Sequence, residues 1–289
     1  MTAPEASDAL AFVIGLEAGY RGAPLEADLR RRGFEVRRSP GVLVDSSGLQ
    51  DQRLYSAEGA RVVMRRPLTH GELGCALAHR DAARALLASG ASAALICEDD
   101  ARLTAGWNSA DLPWEELGLD PAIVSLFSHG SRTVVRKGRR RTDVAGAQLL
   151  STKFAPIIAT AYMLNRAAAE ILAEERPIVS VSDWDPHVAA RTHFMVTYPW
   201  LAHPAGDVES TLEHDRQAST PIDGGSVARK VLRHVLAATH LTWFRFRRHY
   251  AFDYRAYRVH EFDRILVLWR AKRRGVRLLA DDLESPLLL

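Results

Sequence analysis

Cysteine is scarce in this chain: Cys75 and Cys97 are the only two in 289 residues, and they do not form a Cys-x-x-Cys pair. Both sit in apolar stretches, which argues against a disulfide framework and for a reducing compartment. Long apolar runs are missing too. No stretch reaches the roughly 18 uninterrupted apolar residues that a membrane-spanning helix needs. Met1 to Ala9 carries Glu5 and Asp8 and has no basic start followed by an apolar run, so no secretory signal is expected. Internal repeats and biased tracts are absent, which argues against a solenoid, a collagen-like chain or disorder. What remains is ordinary for a globular protein: 47% hydrophobic and 25% charged residues, in a length that suits one large α/β domain or two modest ones.

The net charge is only +3, but it is unevenly placed. From Arg229, Lys230 and Arg233 through Arg245, Arg247 and Arg248 to Arg277, basic residues face only Asp253, Glu261 and Asp263. Aromatics (Trp243, Phe244, Phe246, Tyr250, Phe252, Tyr254, Tyr257) are interleaved with them in a helical pattern. A boundary near Gly224-Gly225 therefore divides residues 1–225 from a basic, aromatic-rich helical region, 226–289. Three readings stay open for that region. It is a plain helix packed on the core, a peripheral contact with an anionic membrane surface, or a nucleic-acid binder. The last ranks lowest because no binding motif accompanies it, and no nucleic acid is expected as partner.

The first half alternates strand and helix. Ala9 to Leu16 reads as a buried strand. Pro24 opens a helix over Leu25 to Arg32 that Gly33 closes, and Phe34 to Arg37 alternates like a strand. This β-α-β opening predicts a parallel sheet. Thr69-His70-Gly71-Glu72 is a capping box; the helix it starts has Leu73, Ala76, Leu77, Ala83, Leu86 and Leu87 on its apolar face and stops at Gly90. Ala93 to Cys97 is a buried strand running into three carboxylates, Glu98, Asp99 and Asp100. Ala122 to Phe127 and Ile157 to Leu164 are further strands, Arg132 to Asp143 a basic connection with Lys137 to Arg141 at a hairpin tip. Asn165 caps an alanine-rich helix ended by Pro177, and Pro199 to Gly225 is loop-rich.

The acidic triplet at a strand end is the strongest chemical signal. Ligands of open α/β sheets bind beyond the carboxyl ends of strands, and clustered carboxylates there suit a hard cation that bridges to phosphates. If the strand stays extended, Glu98 and Asp100 point to one side and Asp99 to the other. An acidic loop, or a helix N-terminus favoured by the macrodipole, is the alternative.

Two blocks carry a family resemblance. Arg66-Pro-Leu-Thr-His-Gly-Glu-Leu-Gly-Cys-Ala-Leu-Ala-His79, followed by Leu95-Ile-Cys-Glu-Asp-Asp-Ala-Arg-Leu103, resembles glycosyltransferase family 25, the lipooligosaccharide-biosynthesis enzymes, which also resemble the collagen galactosyltransferase domain. Weaker likenesses extend it over roughly residues 10 to 215: Phe12 to Arg21 as the opening strand and loop, Ala159 to Ala168, Val181-Ser-Asp183, and Ser210 to Leu212. Gly15, Ala78 and Cys97 depart from the family pattern, which has asparagine, serine and leucine there. The resemblance implies a GT-A fold, a Rossmann-type mixed sheet flanked by helices. It implies inverting transfer of a sugar, commonly galactose, from a UDP-sugar to a glycan or glycolipid acceptor such as lipooligosaccharide.

The roles it implies are specific. Asp183, with Asp185 next, is the expected general base for the acceptor hydroxyl. Asp100, with Glu98 and His187, is the expected seat of a divalent metal, manganese or magnesium. Leu16, Arg21, Glu72, His79, Glu98 and Asp99 are the expected donor contacts. Each has a plainer reading: Asp183 and Asp185 as turn or cap residues before Pro186, Glu72 as capping-box partner, His79 as a hydrogen-bonded core histidine. The expected setting is cytoplasmic, peripheral at the inner membrane face. Two other functions use the same residues: a metal-dependent phosphohydrolase or nucleotidyltransferase, and a non-catalytic binder of glycan or membrane.

Overall fold

The computed structural model describes residues 9–64, 66–128, 133–181, 184–205 and 287–288, with backbone alone for 62, 134–143 and 287–288. In chain order they form β1 (Leu10–Gly15), α1 (Ala23–Arg31), β2 (Glu35–Pro40), α2 (Ala57–Val63), α3 (His70–Ser89), β3 (Ala93–Glu98) and β4 (Ala101–Leu103). After two 3-10 turns come β5 (Ala122–Ser125), β6 (Val134–Val144), β7 (Ala147–Thr152), β8 (Ala161–Asn165), α4 (Arg166–Ala173), α5 (Pro186–Arg191), β9 (His193–Tyr198), β10 (Ala202–Pro204) and β11 (Leu287–Leu288).

The described residues give a 9-stranded mixed sheet in the order β11-β6-β7-β9-β5-β8-β3-β1-β2, and a two-stranded ribbon of β10 and β4. The predicted β-α-β opening holds: β1 pairs in parallel with β2 on one side and β3 on the other. β8 runs antiparallel between β3 and β5. Strand alternation sorts the core into two layers. Ala11, Val13, Leu95, Cys97, Val124 and Met163 face α1 and the 3-10 turns, with Leu25, Leu29, Trp107 and Trp114. Leu10, Phe12, Ile14, Ile96, Tyr162 and Leu164 face α3 and α4, with Ala78, Ala82, Leu86, Ala168 and Ile171. The fold class is α/β, with helices flanking a mixed sheet.

The predicted caps form. Thr69 and Glu72 close a reciprocal capping box, and α3 ends at Gly90, whose φ of 78° is left-handed. Asn165 caps α4 by accepting from Ala168 N. Other expectations fail. Residues 134–144 are a strand and not a connection, and the hairpin tip is Ala145-Gly146 and not Lys137–Arg141. Both tip residues have positive φ, 54° and 76°, as a primed two-residue turn requires. Backbone pairing near the sheet rim makes β6 a strand despite its charge, and rims accept charged residues. α4 stops at Ala173, ahead of Pro177, and β10 lies in a stretch read as loop. α2, β4, β7, β9 and α5 carry too little periodicity to have been read. The domain boundary and the helical reading of 226–289 fall outside the described residues, apart from β11 beside β6. No helix among the described residues is long and apolar enough to cross a membrane.

Gly74 lets α3 touch the segment after β2. A Cβ there would lie 2.2 Å from the Val42 carbonyl oxygen, deep inside van der Waals contact. Gly74→Ala gains about 1 kcal/mol of helix propensity, yet the backbone clash should outweigh it. A net loss of about 1–3 kcal/mol is expected in urea unfolding; unchanged stability would mean that the contact is soft.

Candidate functional site at the carboxyl edge of the sheet

β3 delivers the acidic triplet to the carboxyl edge of the parallel strands, with Glu98 in register beside Ile14 of β1. The three carboxylates part company there. Glu98 continues the face of Ile96 and points toward α3. Its Oε1 lies 3.2 Å from His79 Nε2 and 3.6 Å from Cys75 Sγ. His79 is buried, and its other ring nitrogen is 2.9 Å from the hydroxyl of Tyr162, itself fully buried. A chain Tyr162–His79–Glu98 thus holds the first carboxylate in place. The plainer reading of His79, a hydrogen-bonded core histidine, accounts for this geometry.

Asp99 turns the other way. Its carboxylate accepts from Arg21 N at 3.3 Å and from the Arg21 guanidinium at 3.4 Å. The structure therefore joins Arg21 and Asp99, and Leu16 sits at the start of the same loop. Gly15 permits the approach: a Cβ there would meet the Tyr20 ring at 2.7 Å and Asp99 Cβ at 2.9 Å. The asparagine of the family pattern has no room at this position. Tyr20 in turn donates to Glu26, which also binds Arg30 and Arg38. Burial resists ionisation of Glu26, but these hydrogen bonds win and pull its pKa to about 2. The Tyr20 hydroxyl is pushed up, by burial first and by Glu26 next.

Asp100 is the carboxylate with an orphaned oxygen among the described residues. The chain turns at Asp99-Asp100, so the expected strict alternation ends at Glu98. Asp100 Oδ1 is buried and has no hydrogen-bond partner among the described residues. Burial, then Glu98 and Asp99, raise its pKa. A buried, orphaned carboxylate oxygen beside two more carboxylates is what a hard cation would satisfy. The residues present therefore fit a divalent metal.

The remaining site residues are engaged elsewhere. Glu72 is 1% exposed and spends its oxygens on Thr69 N and on the Arg66 guanidinium, so the capping-box reading accounts for it. Asp185 caps α5 through His187 N and pairs with Arg176. His187 Nε2 meets Glu174 and Arg191 between α4 and α5, and burial, with Arg176, lowers its pKa. Neither Asp185 nor His187 bonds the triplet through these contacts. Asp183 lies outside the described residues. The next residue, Trp184, has a φ of 69°, strained for so bulky a side chain, and is held by an edge contact with Tyr162 and a tilted one with Phe194.

Cys75 sits in an apolar stretch of the sequence, and the structure places its sulfur beside Glu98. The signal for it was the four-residue spacing from Cys75 to His79, which puts both on one helix face. Cys97 is fully buried, and neither cysteine is in a disulfide.

Two solved structures of UDP-glucose pyrophosphorylase resemble the fold, one complexed with UDP-glucose and one apo. Each is 12% identical, covers 73% of this chain and 98% or 97% of its own, and has a TM-score of 0.38. No curated protein matches the sequence. A family model does match: residues 12–117, which contain the Leu16–Arg21 loop, the capping box, His79 and the acidic triplet, match glycosyltransferase family 25 (LPS biosynthesis protein).

Proposed function

We propose that the chain is a metal-dependent glycosyltransferase with a GT-A arrangement, moving a sugar from a UDP-sugar donor to a glycan acceptor. The observation that carries this reading is the orphaned Asp100 carboxylate at the carboxyl edge of the sheet, inside the segment that matches family 25. Asp100, helped by Asp99 or Glu98, would hold manganese or magnesium, whose charge stabilises a leaving diphosphate. His187 stands outside this set because its ring is committed to Glu174 and Arg191. Arg21 fixes Asp99 and presents its exposed guanidinium to the donor. Asp183 takes the proton of the acceptor hydroxyl as general base, giving inversion. The donor is UDP-galactose and the acceptor a lipooligosaccharide core, reached at the inner membrane face through the basic region 226–289.

A thermal-shift screen of nucleotide sugars with and without manganese tests the reading, because a ligand that binds only the folded state raises its stability. One UDP-sugar is expected to stabilise the protein in a metal-dependent way. No response to any nucleotide, or release of phosphate or pyrophosphate without sugar transfer, would reject it.

A further inference from the structure

Behind the triplet, on the α3 side, three ligand atoms of different chemistry converge. Cys75 and His79 stand one turn apart on α3, and Glu98 reaches them from the end of β3. The Cys75 sulfur, a His79 ring nitrogen and a Glu98 oxygen all lie within 4.8 Å of one another. Ligands bound to one tetrahedral ion at zinc distances lie roughly 3.3–3.8 Å apart. The observed 3.2 Å from His79 Nε2 and 3.6 Å from Cys75 Sγ to the same Glu98 oxygen fall close to that spacing.

We propose that Cys75, His79 and Glu98 form a zinc seat, separate from the cation site at Asp100. The donor set selects the metal: thiolate and imidazole suit zinc, whereas magnesium and manganese prefer oxygen ligands. The surroundings support it. Tyr162 holds the far nitrogen of His79 at 2.9 Å, the outer partner that a ligating histidine needs for its orientation. With zinc on Nε2, the His79 proton resides on Nδ1 and points to the Tyr162 oxygen, while Cys75 gives up its thiol proton to solvent. Three protein ligands leave a fourth position for water, on the side where Glu98 remains 28% exposed. Glu98 then belongs to zinc, and Asp100 with Asp99 to the donor cation. The seat shares Glu98 and His79 with the expected donor contacts of the transferase reading and stands without that reading.

Cobalt(II) titration of the full chain, stripped with EDTA and desalted, tests the seat, since cobalt replaces zinc and reports thiolate ligation in the near ultraviolet. One equivalent should give a thiolate-to-cobalt band and tetrahedral visible bands, both displaced by zinc. Cys75→Ser, a half-buried and nearly isosteric change, should keep the circular dichroism of the fold and lose the ultraviolet band. Asp100→Asn should keep it, so failure of the sugar-transfer reading leaves this result untouched. Absence of a thiolate band in the wild type, meaning a hydrogen-bonded hub without an ion, would overturn the proposal. So would a band that persists in Cys75→Ser.

Discussion

Asp100→Asn is expected to reduce sugar transfer by about 10³-fold or more while leaving the metal-free protein at least as stable as the wild type. The activity loss follows from the cation: a metal that stabilises developing charge contributes several kcal/mol, and an amide is a poor substitute for the carboxylate that holds it. The stability half follows from burial. Asp100 carries an oxygen with no partner among the described residues, and burial with its two acidic neighbours raises its pKa. A group whose pKa is raised by folding favours the fold below its unfolded value, and that contribution is lost as pH rises through the folded value. At neutral pH the ionised carboxylate is therefore a burden on the metal-free fold, which asparagine removes. The melting temperature without metal should be level or higher in the variant at pH 7, with the difference shrinking toward about pH 4. Manganese should raise the wild-type melting point and leave the variant unmoved. Unchanged turnover at saturating manganese would sink the assignment, and a large stability loss would show that Asp100 has a protein partner after all.

Asn165→Ala should be among the most destabilising changes outside the hydrophobic core. This one buried amide ties three elements together. Its oxygen accepts from Ala168 N at the start of α4 and from Ala122 N at the start of β5. Its two amide hydrogens serve the carbonyls of Leu117, Gly118 and Asp120 in the turn before β5. Alanine loses a helix cap, about 1 kcal/mol, and strands several buried backbone groups at about 1–3 kcal/mol each. A loss of at least about 3–4 kcal/mol is expected, or about 10 °C or more in melting temperature at 2–4 °C per kcal/mol. Asn165→Asp keeps the acceptor for α4 but turns an anion toward three carbonyls, so it should be no better. A loss below about 1 kcal/mol in the alanine variant would show that water replaces the amide.

The two replacements divide along a line that runs through the whole molecule. The cap at Asn165 was legible in the sequence because its signal is local: a capping residue directly ahead of an apolar-periodic run. The same holds for β1, for Pro24 and Gly33 around α1, for the Thr69–Glu72 box and the Gly90 stop of α3, and for β3 running into the triplet. Each is decided within a few residues by dihedral preference and side-chain period. That Asn165 also secures the turn before β5 was not legible, because Leu117 to Asp120 lie more than forty positions away.

The candidate site divides in the same way. Its candidate residues were named from their types and from the blocks that resemble family 25, but their partners were not. The sequence named Glu98, Asp99 and Asp100 as one cluster; the fold gave each a different neighbour. The chain turns after β3, which ends the alternation that an extended strand would have imposed. Arg21 reaches Asp99 because β1 and β3 are adjacent and parallel, and Gly15 leaves the space. Tyr162 reaches His79 because β8 inserts antiparallel beside β3. β6 became a strand through pairing with β7, although its own residues read as a charged loop. The sequence by itself determined which segments are helix or strand wherever local periodicity and caps are strong, and which carboxylates and histidines stand as candidates for metal and proton chemistry. Only the tertiary structure decided which of those residues meet, because contacts across 78 or 83 positions depend on strand order and register, and neither is written in the period of any one segment.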